Sequence, residues 1–423
     1  MEKTTKELFD FLDNAKSIYH VVDFAKQYLL KNEFEELDFS QKFNLKEGGK
    51  YFIIKKGAIF AFRIDSLLGG YIIGSHTDSP SISIKSNPKI EDNGYIKLNT
   101  EIYGGPILST WFDRPLSIAG CVHVKTENVL QPEQKLIDFE NPVCIIPNLA
   151  IHMNREVNNG FAINKQNHML PICSFEGEDV SNDYILNEIA QKLNIGQDNI
   201  LSYDLNLYDT QKASLVGINQ DMISSKKIDN VAFLQSSLKA LVESNEGNGI
   251  KIVASFDAEE VGSASQNGAD SDILSNLIER ILLSFGQDRE AYLTFLENSF
   301  MISADMAHAM HPNFKEKADI TNKPKMNKGI AIKQSINKRY TSDSKGSSII
   351  MALCKKADIN YQIFVNRSDE VGGSTIGPIS STHLPIDSAD IGNPMLAMHS
   401  IRELCGLRDH EDATRLFKIF FEL

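Results

Sequence analysis

The sequence predicts an α/β protein with a mixed, largely parallel sheet sandwiched by helices and an inserted, mostly β domain. Three observations carry this expectation. From about Leu205 onward, apolar β-prone runs alternate with helical patterns, which favours parallel strands covered on both faces. Between about Ile84 and Leu201 the texture changes: short β-prone runs are broken by Asn87-Pro88, Asn93-Gly94, Gly104-Gly105-Pro106, Asn141-Pro142 and Asn158-Asn159-Gly160. On either side of that stretch, an apolar run ends abruptly in histidine or acidic residues. Tyr71-Ile72-Ile73 leads into Gly74-Ser75-His76-Thr77-Asp78-Ser79-Pro80, and Ile250 to Phe256 leads into Asp257-Ala258-Glu259-Glu260-Val261-Gly262. A chain of 423 residues suggests two domains. The first is then discontinuous, 1–84 and 202–423, with 85–201 inserted.

The elements follow in order. Thr4 to about Lys31 reads as an amphipathic helical region, with Thr4 and Glu7 spaced as a capping box. Tyr51-Phe52-Ile53-Ile54 and Ala58-Ile59-Phe60-Ala61-Phe62 flank Lys55-Lys56-Gly57 as a β-hairpin. Tyr71 to Gly74 is the next strand. Within the insertion, Tyr184 to Leu193 is helical. Beyond it come a helix over Asp229 to Val242, a strand over Ile250 to Phe256, a helix over Ser271 to Leu283 and a strand over Ser299 to Ser303. Gly329 to Lys333, Tyr361 to Val365 and Met395 to Met398 are further strand candidates.

Composition narrows the function. A net charge of −13 and a pI near 5.3 argue against nucleic acid, which needs a dense basic patch. No run of 18 apolar residues suggests a membrane span, and Met1 to Glu7 lacks the apolar core of a secretory signal. The five scattered cysteines form no CxxC pair and read as reduced, mostly buried thiols. A cytoplasmic protein is the expectation.

Six positions carry candidate chemistry: His76, Asp78, Asp229, Glu259 with Glu260, Asp305 and His399. Five lie at or near strand ends and Asp229 opens a helix. Ligands bind at the carboxyl edge of open α/β sheets. Imidazole and carboxylate are the donors of hydrolytic zinc sites that leave a position open for water. Of two adjacent glutamates, one can ligate metal while the other faces water as a general base. A bridging carboxylate such as Asp229 would set two ions roughly 3.5–4 Å apart. Singly, each residue has a plainer reading: a hydrogen-bonded strand-end histidine, a helix-capping Asp229, a solvated Glu259-Glu260 loop, a surface turn at Asp305 and His308. Six such coincidences at strand and helix ends are less expected than one site. Gly372 to Gly377 lacks the P-loop lysine and the dinucleotide fingerprint, so close backbone approach to a substrate is the better reading. Lys226-Lys227 and Lys355-Lys356 read as solvated charges, and Trp111 as packing or interface.

Across nearly its whole length the chain resembles the M18 metallopeptidases, the aspartyl aminopeptidase group. The resemblance rests on Ser75 to Pro80, Thr110 to Leu116, Ala150-Ile151-His152, Asp209-Thr210-Gln211, Asp229-Asn230, Glu259 to Ser263, Ser303 to Asn313, Gly373 to Pro378 and Met398 to Glu403. It implies the fold of a dinuclear zinc exopeptidase. His76, Asp229 and Asp305 would hold one divalent ion, and Asp229, Glu260 and His399 the other. The ion is expected to be zinc, with cobalt and manganese also suited to the ligands. Asp78 would orient His76, and Glu259 would be the base. His152 matches a histidine that reaches from the inserted domain into a neighbouring subunit's site; His308 and Lys333 match substrate contacts. The resemblance further implies peptide substrates with free N-termini, acidic residues among those preferred, and dimers assembling into a tetrahedral dodecamer. The alternatives are a related dinuclear amidohydrolase or carboxypeptidase, and a non-catalytic assembly protein.

Overall fold

In the Ile250–Phe256 strand all seven residues are buried, so both of its faces need cover. The computed structural model, which describes residues 3–177 and 183–423, supplies it. Ile252, Ala254 and Phe256 point into one apolar core, packed by the Ile273–Ser284 and Arg289–Glu297 helices. Val253 points into the other, packed by Ile228–Glu243 and Leu407–Phe421. This period-two division of one strand between two helical layers fixes the sandwich.

The sheet has nine strands, ordered Glu35–Glu36, Lys50–Lys55, Ala58–Ile64, Ile250–Phe256, Gly70–His76, Phe300–Ala304, Asp387–Gly392, Ile330–Lys333 and Tyr361–Phe364. The pairings between Ile250–Phe256 and Asp387–Gly392 are parallel, and antiparallel pairings flank that block. The mixed, largely parallel sheet is therefore as expected. Register positions the site: Phe256 lies opposite His76, and Ser303 opposite Gly74. Three parallel strands thus end level with one another, and the residues that follow them emerge at one edge.

A second, six-stranded sheet is antiparallel throughout, ordered Glu133–Asp138, Leu116–Val124, Ile200–Asp209, Ser81–Asp92, Tyr95–Tyr103 and Ile172–Phe175. The Tyr184–Leu193 helix, at its expected place, buries Ile185 and Ile189 against it. The break points expected at 84/85 and 201/202 fall inside continuous strands, because Ile82, Ile84, Leu205 and Leu207 belong to this sheet's own core. Trp111 lies in the same core, as the packing reading requires. A third sheet joins Ser214–Val216, Met222–Ser225, Glu403–Gly406, Pro394–Leu396 and Ala307–His308. The Met395 to Met398 candidate belongs here and stops at Leu396.

Some expectations need correction. Thr4 to Lys31 is two helices, Lys3–Asn14 and Ile18–Lys31, because Ser17 takes extended backbone and its hydroxyl accepts the His20 N–H. Thr4 lies inside the first helix and does not cap it. Asp229 and Asn230 keep non-helical backbone angles and share a cis peptide, so regular helix begins only after them. The Lys226-Lys227 pair is not solvated: Lys226 is buried, and Lys227 turns its ammonium to the Lys16 carbonyl at 3.3 Å. The five cysteines are free, and four of them are buried.

Candidate active site

His76 is the last residue of its strand and is 1% exposed. Its Nδ1 lies 3.0 Å from the Asp78 carbonyl oxygen and 3.4 Å from the Asp78 carboxylate. That leaves Nε2 facing Asp229 Oδ1 at 3.3 Å and Asp305 Oδ1 at 3.5 Å. On the other side of Asp229, His399 Nε2 lies 3.2 Å from Glu260 Oε2 and 3.9 Å from Asp229 Oδ2. The two Asp229 oxygens therefore face two different imidazoles. Two groups of donors that share Asp229 result, His76–Asp229–Asp305 and Asp229–Glu260–His399, each with its atoms within 4.8 Å of one another; His76, Glu259 and Glu260 form a third set at the same spacing.

Asp78 organises more than His76. Its two carboxylate oxygens accept the backbone N–H groups of Glu259 and Glu260, each at 3.1 Å, and Oδ2 also accepts the Tyr103 hydroxyl at 2.7 Å. One side chain thus fixes the turn that presents both glutamates. Tyr103 comes from the second sheet, whose following loop also touches the site. His399 Nδ1 lies 3.1 Å from the Gly105 carbonyl. Gly104 adopts φ +70° with its missing Cβ position 3.2 Å from the Glu260 Cβ, so a side chain there meets both backbone strain and a crowded neighbour.

Glu403, the last residue of the Met398 to Glu403 motif, has a role that the motif alone does not indicate. Buried at the start of the Glu403–Gly406 strand, it accepts the Asp229 N–H at 3.0 Å and the His399 N–H at 2.8 Å. It ties together the backbones of the shared carboxylate and the second histidine. Its spacing of four from His399 was the available signal. Asn230 donates to the Ala304 carbonyl at 2.9 Å, and Ser79 to the Asp229 carbonyl at 2.8 Å. Nothing in the local sequence indicates the distant partners of Tyr103, Asn230 or Ser79.

So many carboxylates in one place shape the electrostatics. Burial pushes the Glu259 carboxyl up, and Asp305, Asp229 and Asp78 add to this against the opposing pull of His76. Glu260 rises for the same reasons, burial first and Asp229 next. For Asp305 burial also acts upward, but Lys333 and His76 outweigh it and hold the carboxyl well below its usual range. His76 goes well above its usual value: burial opposes the charge, and Asp229, Asp305 and Asp78 overcome it. Buried Asp229 Oδ1 and Glu260 Oε1 have no hydrogen-bond partner. Buried orphan acceptors are costly, and orphan carboxylate oxygens flanked by imidazoles are what a divalent cation would satisfy. The donor set therefore fits metal.

The substrate candidates divide. His308 lines a cleft of about 390 Å³ together with His311, Gly372, Gly373 and Met398, and it is itself close enough to Asp229, Asp305 and His399 to feel their charges. Lys333 is 3% exposed, and its ammonium lies 3.5 Å from Asp305 Oδ2, so its partner in this structure is a site carboxylate. His152 belongs to neither donor group. It is exposed on the short Ile151–Met153 turn, beside exposed Leu149, Ile151 and Met153.

Residues 11–421 match the aminopeptidase I zinc metalloprotease (M18) family. The chain belongs to this family. It is 49% identical to the probable M18 family aminopeptidase 2 of Clostridium novyi, over 100% of this chain and 99% of that protein. A chain of the Ape4 and Nbr1 complex, solved by cryo-EM, superposes with a TM-score of 0.94 at 34% identity, covering 99% of this chain and 85% of that one. The S. cerevisiae mApe1 dodecamer superposes with a TM-score of 0.85 at 25% identity, covering 99% and 96%. The M18 resemblance read from the motifs thus holds along the chain, and this M18 peptidase is a metalloaminopeptidase, a hydrolase of peptide N-termini. No described helix is long and apolar enough to cross a membrane.

Proposed function

We propose that this M18 aminopeptidase works with two divalent ions per subunit, zinc in the first instance, held by His76, Asp229 and Asp305 on one side and Asp229, Glu260 and His399 on the other. The observation that carries the reading is Asp229, whose two oxygens face different histidines from one buried carboxylate. Bound ions would supply Lewis-acid polarisation of the scissile carbonyl and lower the pKa of water toward neutrality. Glu259, beside the donors but in neither Asp229 group, takes the proton from the attacking water and returns it to the leaving amine. Asp78 positions it by anchoring the Glu259–Glu260 turn, and Glu403 holds Asp229 and His399 in register. Lys333 balances the charge on Asp305. His308 and the Gly372-Gly373 backbone line the approach for the peptide.

The N-terminal residue removed is proposed to be acidic, aspartate or glutamate. The enzyme is proposed to be cytoplasmic and to assemble through its inserted sheet into dimers and then a tetrahedral dodecamer. The mApe1 neighbour is a dodecamer, and the exposed apolar side chains around His152 suit burial against a second copy. In that assembly His152 would serve a neighbour's site.

A panel of aminoacyl amides tests the reading, using protein stripped by chelation and reloaded with zinc, cobalt or manganese. Aspartyl and glutamyl substrates should be cleaved with the highest kcat/KM, and their N-acetyl derivatives should not be cleaved. Faster cleavage of leucyl or lysyl substrates would reject the acidic preference alone. Cleavage of the blocked substrates would reject amine recognition.

A further inference from the structure

A second group of metal-type donors lies in the inserted sheet. Leu116–Val124 and Ile200–Asp209 pair antiparallel with Cys121 directly opposite Asp204 and His123 opposite Ser202. Side chains alternate along a strand. Ile118, Val122 and Val124, with Leu205 and Leu207, fill the apolar core on one face. Cys121, His123 and Asp204 therefore share the other face, two on one strand and the third across from them. That face is covered by the junction of the two N-terminal helices, between Asn14 and Ile18, and by the first turn of the second helix. The Tyr19 hydroxyl donates to Asp204 Oδ2 at 2.9 Å, Asn206 Nδ2 donates to the Lys16 carbonyl at 3.1 Å, and Lys16 pairs with Asp138 at 2.6 Å.

The thiol, an imidazole nitrogen and a carboxylate oxygen all lie within 4.8 Å of one another. Cys121 is fully buried, His123 is half-buried and Asp204 is exposed, so the group is walled on the protein side and open toward solvent. One soft sulfur, one imidazole and one carboxylate select a zinc-class ion over magnesium or calcium, which prefer all-oxygen shells. Three protein donors leave a fourth position for water. The Tyr19 hydroxyl donates to Asp204 and also interacts with Cys121, so it draws two of the three donors together, as partners of metal ligands commonly do.

We propose that Cys121, His123 and Asp204 form a zinc-class metal site, separate from the active site, at the seam between the inserted sheet and the N-terminal helices. The active-site donors are all nitrogen or oxygen, so a thiolate signal that depends on Cys121 reports on this second site and not on the active site.

The test is a cobalt(II) titration of the chelated, full-length enzyme, followed in the near ultraviolet for thiolate-to-cobalt charge transfer. Wild-type protein should develop the band, and zinc should displace it. Asp229→Ala, which alters only the active site, should keep it. Cys121→Ser should abolish it. His123→Ala, a change at a half-buried position, should require at least about 10-fold more cobalt, since even partners of metal ligands are worth 10–100-fold in affinity. Absence of the band in wild-type protein, or its survival in Cys121→Ser, would overturn the proposal. If Cys121→Ser loses the wild-type circular dichroism spectrum, His123→Ala decides alone, and an unchanged titration in that variant overturns it.

Discussion

Glu259 and Glu260 are neighbours with separate proposed tasks, and the proposed difference lies in what each faces. Glu260 points to His399 and shares a donor group with Asp229, whereas Glu259 stands beside His76 without joining either group that contains Asp229. Glu259→Gln keeps the shape and removes the basicity. Its kcat should fall by about 10²-fold or more, the usual worth of a positioned base, with metal content unchanged by elemental analysis. Near-normal turnover in the fully metallated variant would remove the assignment. At this scale much was legible in the sequence, because buried apolar strands that stop at His76, Asp257 and Asp305 announce an edge where polar side chains gather. Apart from Asp78, and Glu403 by its spacing from His399, the residues that support those side chains were not legible, and neither were their long-range partners. Tyr103 reaches Asp78 from 25 residues away and Glu403 reaches Asp229 from 174. A single sequence carries no trace of such pairings.

Among the elements, the strands of the nine-stranded sheet were read more completely than the helices, although Glu35–Glu36 and Asp387–Gly392 were missed, and most strands of the six-stranded sheet were expected only as unplaced β-prone runs. Ile250–Phe256 declares itself by seven consecutive buried residues, and Ala58–Ile64 likewise. The Arg289–Glu297, Ser344–Lys356, Ile376–His383 and Leu407–Phe421 helices were not anticipated. Ile376–His383 contains Gly377 and Pro378 and is weakly amphipathic in pattern, so local propensity argues against it while packing on the sheet sustains it. Leu407–Phe421 also buries polar residues, among them His410, which breaks the simple apolar stripe. His410 Nε2 faces Gln235 Oε1 at 2.9 Å across the helix pair. Burial, aided by Lys239, lowers its pKa to about 4 from an ordinary 6.5. Between those values the unfolded chain binds the proton and the folded chain does not, so stability falls as pH drops from 6.5 toward 4 and is unaffected by this group above 6.5. His410→Asn, a non-titrating side chain, should therefore lose less Tm between pH 7 and pH 5 than the parent enzyme. Equal losses in differential scanning fluorimetry would contradict this account.

For the whole molecule, the six-stranded sheet is joined to the active site through Tyr103, Gly104 and Gly105, while His152, exposed on the Ile151–Met153 turn, belongs to neither donor group. That geometry makes sense if one sheet serves two sites, its own chain's and a neighbour's. His152→Ala should then lower kcat/KM without changing metal content. Mixing His152→Ala subunits with Glu259→Gln subunits should restore activity, because some mixed dimers combine an intact base with an intact donated histidine. No recovery in verified mixed oligomers would confine His152 to its own chain. The central claim remains the shared carboxylate at the edge of three level strands. The most direct measurement is an anomalous difference map from crystals of the zinc-loaded enzyme, compared with the same map for Asp229→Ala. Two peaks roughly 3.5–4 Å apart flanking Asp229, both lost or strongly weakened in the variant, are the predicted result. A single peak at Asp229 in the parent enzyme, or two undiminished peaks in Asp229→Ala, would contradict it.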